Sequence, residues 1–243
     1  MKANNQIPWP RILAEGSAIV VSILLAFAID AWWEEKQEEG ERAEQRQALL
    51  NEFEEARTQL EKQLGWLEIA FEGTAQTLEL MGADAGEREV TLARPAIGNS
   101  LNVGIAVPQQ GTLRQVLAAR GGSGIFEGEL GRMLGAWPVA MDDLRQDSYN
   151  LERNREENYI DALVRLGLPM LGVIHTPDQT TQADARIGLP FSQFDVDLSP
   201  LLRDPGVETI FAMRALRLQI LINSHKRAIA AADEIITLLR DAL

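Results

Sequence analysis

The hydrophobic positions of this chain are most concentrated near its start, where residues 12–33 read ILAEGSAIVVSILLAFAIDAWW. The 14 residues from Gly16 to Ile29 carry no charge. As a helix, the 22 residues of the whole segment would extend about 33 Å, enough to cross a hydrocarbon core of about 30 Å. We therefore predict a transmembrane helix over 12–33, preceded by an N-terminal tail over 1–11.

The residues at the two ends of this segment are typical of a membrane boundary. Trp9 precedes it, and Trp32 and Trp33 close it, which are the places where amphipathic indoles lie at membrane interfaces. Glu15 and Asp30 are about 22 Å apart along a helix, less than the hydrocarbon thickness. Because a carboxylate in lipid costs a few kcal/mol or more, we expect both acids to make intramembrane polar contacts.

Glu15 has two candidate partners. Arg11 lies one helical turn before it, at the spacing of an intrahelical ion pair. The alternative is a donor on a neighbouring helix, which would fix how the span docks. For Asp30, the charged run that starts at Glu34 keeps the carboxylate near water.

Two other interpretations of residues 12–33 are a signal peptide and a buried core helix. A signal peptide would use Lys2 and Arg11 as its basic region and residues 26–28 as its cleavage site, but it would be removed, whereas this chain retains the segment. A core helix would have to bury Glu15 and Asp30. We favour a single retained transmembrane helix.

Basic residues leave the orientation of this helix open, because two precede it and three follow it closely. They are Lys2 and Arg11 before the span, and Lys36, Arg42 and Arg46 after it. A short N-terminal tail in the cytoplasm with a long exported domain is the simpler insertion. We therefore expect the domain over 34–243 to lie outside the cytoplasm.

Two long amphipathic helices are predicted at opposite ends of this domain. Over 34–81, the apolar positions from Phe53 to Leu78 are spaced by 3, 4, 4, 3, 4, 4 and 3 residues, an eleven-residue repeat. Over 206–243, the spacing from Phe211 to Leu243 alternates between 4 and 3, a heptad seam. We expect these two helices to pack antiparallel, and the first to continue directly from the transmembrane helix.

The middle of the chain mixes short helices with loops. Residues 82–111 are rich in Gly, Ala and Pro, which predicts a loop. Residues 112–167 predict helices, one opened by Thr112 and a longer one bent at Pro138, and residues 168–205 predict another loop. The predicted fold is all-α: one N-terminal transmembrane helix, then an extramembrane helical bundle with a long antiparallel helix pair and extended loops.

Composition and charge narrow the function classes. The chain has 23 basic and 36 acidic residues, so its net charge is −13, and the sequence contains no basic patch. A nucleic-acid partner is therefore excluded, because the negative surface would repel the phosphates. The absence of cysteine excludes disulfides, thiolate zinc sites, iron–sulfur clusters and cysteine nucleophiles. Only two histidines, His175 and His225, are present, too few for a His-rich metal centre.

No catalytic constellation stands out. The glycine-rich residues 121–124 lack the Lys-Ser/Thr that completes a phosphate-binding loop. Glu157 and Asp161 share a helix face beside arginines, which indicates ordinary surface pairing. His225 lies on an apolar seam, which indicates a buried, hydrogen-bonded imidazole. We predict no catalytic, cofactor-binding or metal-binding residues, and no cofactor.

The membrane segment resembles a family of bacterial single-pass membrane proteins without an established activity. The family motif is a Glu, seven residues on a Gly, then I-x-x-A-x-x-I-x-x-W, which corresponds here to Glu15, Ser22, Ile23, Ala26, Ile29 and Trp32. Ser22 departs from the Gly but stays small. A second block is similar to the family's soluble part, at Thr112, Leu113, Leu117, Gly121, Ile125, Glu129 and Leu130. Residues 197–243 are also similar. The resemblance implies a bacterial inner membrane protein with, in the orientation above, a periplasmic C-terminal domain.

These observations predict a non-enzymatic membrane protein that works through contacts. We expect an accessory or structural subunit packed against a larger membrane protein complex, for example a respiratory or photosynthetic one. Its partners would be the lipid bilayer and other membrane protein subunits. The alternative is a membrane-anchored sensor or scaffold that binds a ligand or partner through its helical domain.

Overall fold

The computed structural model describes residues 9–101, 107–119, 128–169, 194 and 196–242, with side chains from Ser22 onward except those of residues 119 and 156. Every regular element in this part of the chain is helical, which confirms the all-α prediction. In chain order these elements are α1 (Trp9–Leu80), α2 (Glu87–Leu101), α3 (Gly111–Ala119), α4 (Gly128–Asn154), a π-helical segment (Arg155–Tyr159), α5 (Ile160–Arg165), α6 (Ser199–Leu202) and α7 (Pro205–Asp241).

Helices α1 and α7 form the predicted antiparallel pair. At one end, Arg46 Nη1 donates to the carbonyl of Ala242 at 2.9 Å. Further along the pair, Lys226 Nζ lies 2.9 Å from a carboxylate oxygen of Glu68. Helix α1 is continuous over 72 residues, or about 108 Å, so the residues of the predicted span and the helix predicted over 34–81 belong to one rod.

The buried face of α1 follows a heptad, so the predicted eleven-residue repeat is wrong. Of the predicted positions from Leu64 onward only Leu67 is buried and the others are half-buried, because the seam runs through Gln63 and Thr74 instead. Thr74 Oγ1 donates to the carbonyl of Ala70 at 2.7 Å, so this hydroxyl is satisfied within its own helix and can be buried. The buried positions, spaced alternately by 4 and 3, are Leu49, Phe53, Ala56, Leu60, Gln63, Leu67, Ala70, Thr74 and Thr77.

Helix α7 buries two stripes, of which the sequence predicted one. Most of the predicted heptad seam is buried, and Asp204 caps the helix by accepting from the backbone N–H groups of Gly206 and Val207. A second stripe, also with a period of seven, consists of Arg214, Leu221, Ala228 and Ile235. Because α7 packs against both α1 and α4, it needs a wider buried face than a single seam provides.

Helix α2 occupies half of the predicted loop over 82–111, so that part of the prediction is wrong. Its first turn is held by Glu89, whose Oε2 accepts from the backbone N–H of Gly86 at 2.9 Å. Small residues then let α2 lie directly against α1, where a Cβ atom added at Gly73 would be 2.5 Å from the carbonyl oxygen of Ala96. Tertiary packing therefore outweighs the weak local helix preference of a segment with an internal proline, Pro95.

The helices predicted over 112–167 are present as α3, α4, the π-helical segment and α5. The last of them ends at Arg165, two residues before Gly167, which has a φ of +68°. In the predicted loop over 168–205, residues 170–193 and 195 lie outside the described part, and the short α6 occupies the far end.

The core forms two clusters of buried side chains. The larger one joins α1, α3, α4 and α7, and includes an edge-to-face contact of Phe53 with Trp137 at 5.0 Å between ring centroids. The smaller one joins α2, the π-helical segment, α5, α6 and the start of α7, and includes an edge-to-face contact of Tyr159 with Phe211 at 5.6 Å.

Candidate functional site

The first candidate surface is the part of α1 that projects beyond the bundle. Over residues 22–33, which we call the exposed apolar segment, the large hydrophobic side chains range from 50% exposed at Ile23 to 67% at Phe27. Ile23, Leu24 and Leu25 are successive and therefore point about 100° apart around the helix. A helix that is apolar all round is normally buried, and the described residues of this chain do not cover it.

The predicted boundary and polar residues lie partly within the described structure. Trp32 and Trp33 are exposed at the end of the apolar segment, with ring centroids 6.3 Å apart, and Asp30 is exposed one turn before Trp33. The side chains of Trp9 and Glu15 lie outside the described residues, together with those of the predicted span as far as residue 21. Within the described part of the chain, no helix has the length and apolarity needed to cross a membrane.

Between the apolar segment and the bundle, α1 is a charged and largely exposed helix. Residues 34–45, which we call the acidic rod, carry six glutamates against one lysine and one arginine, a net charge of −4. Ion pairs of 2.7 Å join Lys36 to Glu39 and Arg42 to Glu38 along the helix. The hydrogen bond from Lys36 holds the pKa of Glu39 below its usual value. At about 1.5 Å per residue the rod separates the apolar segment from the bundle by about 18 Å.

The carboxylates that the sequence singled out do not assemble a reactive site. Glu157 accepts from Arg153 Nε at 2.7 Å, which matches the predicted surface pairing, and Asp161 is exposed. Across the described residues, no group of three or more histidines, aspartates and glutamates could hold a metal ion. His175 and residues 121–124 lie outside the described part of the chain.

His225 is fully buried between α1 and α7, as its place on the apolar seam predicted. Its Nδ1 lies 2.9 Å from the carbonyl of Leu221, and its Nε2 lies 3.2 Å from Oε1 of Gln63. Burial lowers the pKa of His225 below its usual value, and the hydrogen bond to Leu221 opposes that shift. The imidazole is therefore neutral at pH 7 and belongs to the packing of the bundle.

Sequence reasoning missed a buried polar cluster in the smaller core. Arg214 is only 2% exposed, and its Nε and Nη2 both donate to the carbonyl of Ser100, at 2.8 and 2.5 Å. Burial lowers the pKa of Arg214 to about 10, so the guanidinium is still charged at neutral pH. We call Arg214, Tyr159, Asn154, Arg155 and Glu152 the Arg214 cluster.

Several polar atoms of the Arg214 cluster are buried without a hydrogen-bond partner. They are Arg214 Nη1, the Tyr159 hydroxyl, Asn154 Oδ1 and Arg155 Nε. Most buried polar atoms in folded proteins are paired, so this concentration needs a physical reason. One signal was present in the sequence, because Arg214 stands seven residues before Leu221, in register with a buried stripe.

Comparison of this chain with protein-family models, with curated proteins and with solved structures gives no match. The features of the molecule that bear on its function are the exposed apolar segment, the acidic rod and the Arg214 cluster.

Proposed function

We propose that this protein is a non-enzymatic, single-pass membrane protein that displays a helical bundle beside the bilayer. Residues 12–33 form the anchor in a bacterial inner membrane, with the amino terminus in the cytoplasm and the bundle in the periplasm. The observation that supports this proposal most directly is the exposed apolar segment. It has hydrophobic side chains on every side of α1, and none of the described residues covers them. Trp32 and Trp33 at its end suit the membrane interface.

The acidic rod gives this arrangement a defined spacing. Its length of about 18 Å exceeds a Debye length of about 8 Å at physiological ionic strength. Its net negative charge disfavours close approach to an anionic lipid surface. Because α1 is continuous from Trp9 to Leu80, a shift of the anchor along its axis is transmitted to the bundle.

The role we propose is that of an accessory or structural subunit of a larger membrane protein complex, for example a respiratory or photosynthetic one. It is supported by a strip of exposed apolar side chains on the outer face of α7, at Met213, Leu216 and Ile220. Their spacing of 3 and 4 places them side by side on one face, as in a helix that packs on a partner.

Extraction in a mild detergent followed by native mass measurement tests this role. We expect the chain to migrate with partner subunits at a mass well above its own 26.9 kDa. Replacing Leu216 and Ile220 by Asp should release these partners, whereas replacing the exposed Gln219 by Asp between them should not. Migration of the unchanged protein as a single chain would contradict the accessory role.

Glu15 provides a second test inside the membrane. In this proposal its carboxylate either pairs with Arg11 within the helix or meets a donor on a neighbouring subunit. Glu15→Gln keeps size and hydrogen bonding but removes the charge. Loss of partners with unchanged membrane insertion favours intersubunit docking. Retention of every partner at the yield of the unchanged protein excludes a docking role for the charge.

A membrane-anchored sensor or scaffold is the second candidate function, and the Arg214 cluster favours it. Unpartnered polar atoms inside the bundle are more useful to a protein that binds a ligand there than to a passive spacer. Addition of a ligand distinguishes the two functions, since only a sensor changes its contacts with its partners when its ligand binds.

A further inference from the structure

The buried guanidinium of Arg214 makes no ion pair among the described residues, although the carboxylate of Glu152 acts on it electrostatically. None of the ion pairs in this part of the chain includes Arg214, and its Nε and Nη2 donate to a neutral acceptor, the carbonyl of Ser100. Nη1 is buried and makes no hydrogen bond. A buried cation without a compensating anion is strongly unfavourable, because the lost hydration is not replaced.

Tyr159 supplies a second unused donor close to this charge. Its hydroxyl is buried without a partner, and its ring is held by the edge-to-face contact with Phe211. Burial raises the pKa of Tyr159, so the hydroxyl keeps its proton, while the positive charge of Arg214 is near enough to act in the opposite direction. A neutral O–H donor and a guanidinium N–H donor therefore share one apolar region.

The π-helical segment explains how Tyr159 reaches this region. In an α-helix, residues five positions apart point about 140° away from each other. The wider π turn between Asn154 and Tyr159 allows both to face the core, where both are buried. Such π turns are frequent at functional sites.

The other charges of the cluster cancel each other. Arg155 Nη2 lies 2.7 Å from a carboxylate oxygen of Glu152, so this pair is neutral as a unit. The Glu152 carboxylate that acts on Arg214 is therefore already engaged by Arg155, and among the described residues Arg214 has no anion of its own. The unpartnered Asn154 Oδ1 is an acceptor, so it does not contribute to anion binding.

We propose that Arg214 Nη1 and the Tyr159 hydroxyl bind a small monovalent anion, either chloride or the carboxylate of a short organic acid. The single charge of one guanidinium matches a monovalent ion. The surrounding apolar side chains of Phe211, Val207 and Leu163 disfavour a strongly hydrated dianion such as sulfate. A groove of about 380 Å³ meets the cluster at Glu152, which is one of its lining residues.

Fluorine NMR on the detergent-solubilised full chain tests this site with an internal control. The chain has only two tyrosines, the exposed Tyr149 and the buried Tyr159, so labelling with 3-fluorotyrosine gives two signals. Titration with sodium chloride, and separately with sodium formate, should move the Tyr159 signal saturably and leave Tyr149 unchanged. The ion that saturates at lower concentration identifies the source. An equal response to sodium sulfate would overturn the monovalent assignment.

Two matched variants complete the test. Tyr159→Phe removes only the unpartnered hydroxyl and should weaken binding of the anion by about tenfold or more, whereas Tyr149→Phe should leave it unchanged. An anion retained through purification would hold the Tyr159 signal still but would make Tyr159→Phe less stable than the unchanged protein, which supports the site. A Tyr159 signal that no anion moves, with Tyr159→Phe at least as stable as the unchanged protein, would overturn it.

Discussion

His225 and Gln63 meet across the seam between α1 and α7, with Nε2 of the imidazole 3.2 Å from the side-chain oxygen of Gln63. The carbonyl of Leu221 can only accept, so Nδ1 carries the proton of the neutral ring. Nε2 is then an acceptor, and it can pair with Gln63 only when the amide is turned so that its NH₂ group takes the place of Oε1. A protonated ring would instead donate to the Gln63 oxygen. The amide orientation and the protonation state of His225 are therefore coupled.

Removal of the Gln63 side chain should destabilise the bundle. Gln63→Ala leaves Nε2 of His225 buried without its Gln63 partner and opens a cavity in the seam. We expect the free energy of unfolding to fall by about 1–3 kcal/mol in urea denaturation. Gln76→Ala, at an exposed position of the same helix, should change it by less than about 0.5 kcal/mol. Equal effects of the two substitutions would show that the buried pair contributes nothing.

The lowered pKa of His225 makes stability depend on pH in a defined window. Below about pH 6.5 the unfolded chain binds a proton that the folded chain does not, so stability decreases as the pH falls toward the lower pKa of the folded state. The exposed carboxylates with lowered pKa values, such as Glu89, act only at more acidic pH. His225→Gln should abolish the decrease between about pH 6.5 and 5, while His175 is common to both proteins. An unchanged pH profile in the variant would contradict this origin.

The close contact of α1 with α2 predicts opposite effects of the same substitution at two glycines of α1. A Cβ atom at Gly73 would lie 2.5 Å from the Ala96 carbonyl, so Gly73→Ala should lower the free energy of unfolding by about 1–3 kcal/mol. At Gly65 a Cβ atom would meet nothing within 4 Å, so Gly65→Ala should raise it by about 0.5–1 kcal/mol through helix propensity. Thermal unfolding of both variants checks the signs, and stabilisation by Gly73→Ala would exclude so close an approach of α2 to α1.

A carboxylate of α1 caps the start of α3. The two oxygens of Glu52 accept from the backbone N–H groups of Thr112 and Leu113, at 2.6 and 3.1 Å. Glu52→Ala leaves these donors unpaired and should cost about 1–2 kcal/mol. Amide hydrogen exchange in 111–119 should accelerate in this variant and stay unchanged in Glu55→Ala, one turn away on a more exposed face. Protection that survives Glu52→Ala would show that α3 does not depend on this cap.

The parts of the fold that the sequence predicted are those that follow from apolar periodicity and end signals. These are the all-helical class, the long helices at both ends, and the start of α7 at Pro205 after Asp204. The register of the α1 seam was mispredicted because Gln63 and Thr74 are polar and were therefore not expected on the buried face. They can be buried because their side chains have hydrogen-bond partners in the folded structure. Helix α2 was missed because its stability comes from its contact with Gly73, which no local pattern records.

The candidate sites divide in the same way. The exposed apolar segment and its tryptophans could be selected from composition alone, because their hydrophobicity is continuous along the chain. The Arg214 cluster could not, because Ser100, Tyr159 and Arg214 are far apart in sequence and come together only when α2, the π-helical segment and α7 pack. The seven-residue spacing of Arg214 from Leu221 was the one sequence signal of its burial, and it does not indicate which residues lie around it.

Membrane anchoring through residues 12–33 is tested most directly by alkaline carbonate extraction of membranes that contain the full chain. Ile23 lies at the middle of the predicted span and is 50% exposed, and Ile69 lies on the bundle part of the same helix and is 51% exposed. A lysine at the centre of a span costs about 2.5–3.5 kcal/mol, whereas a lysine on a water-exposed helix face costs little. The two substitutions therefore form a matched pair.

We expect the unchanged protein and Ile69→Lys to remain in the carbonate-resistant membrane pellet. Ile23→Lys should be partly released into the supernatant, and combining it with Phe27→Lys should release nearly all of the protein, with the bundle still helical by circular dichroism. Release of the unchanged protein by carbonate, or equal retention of the Ile23→Lys/Phe27→Lys variant, would contradict a transmembrane anchor over 12–33.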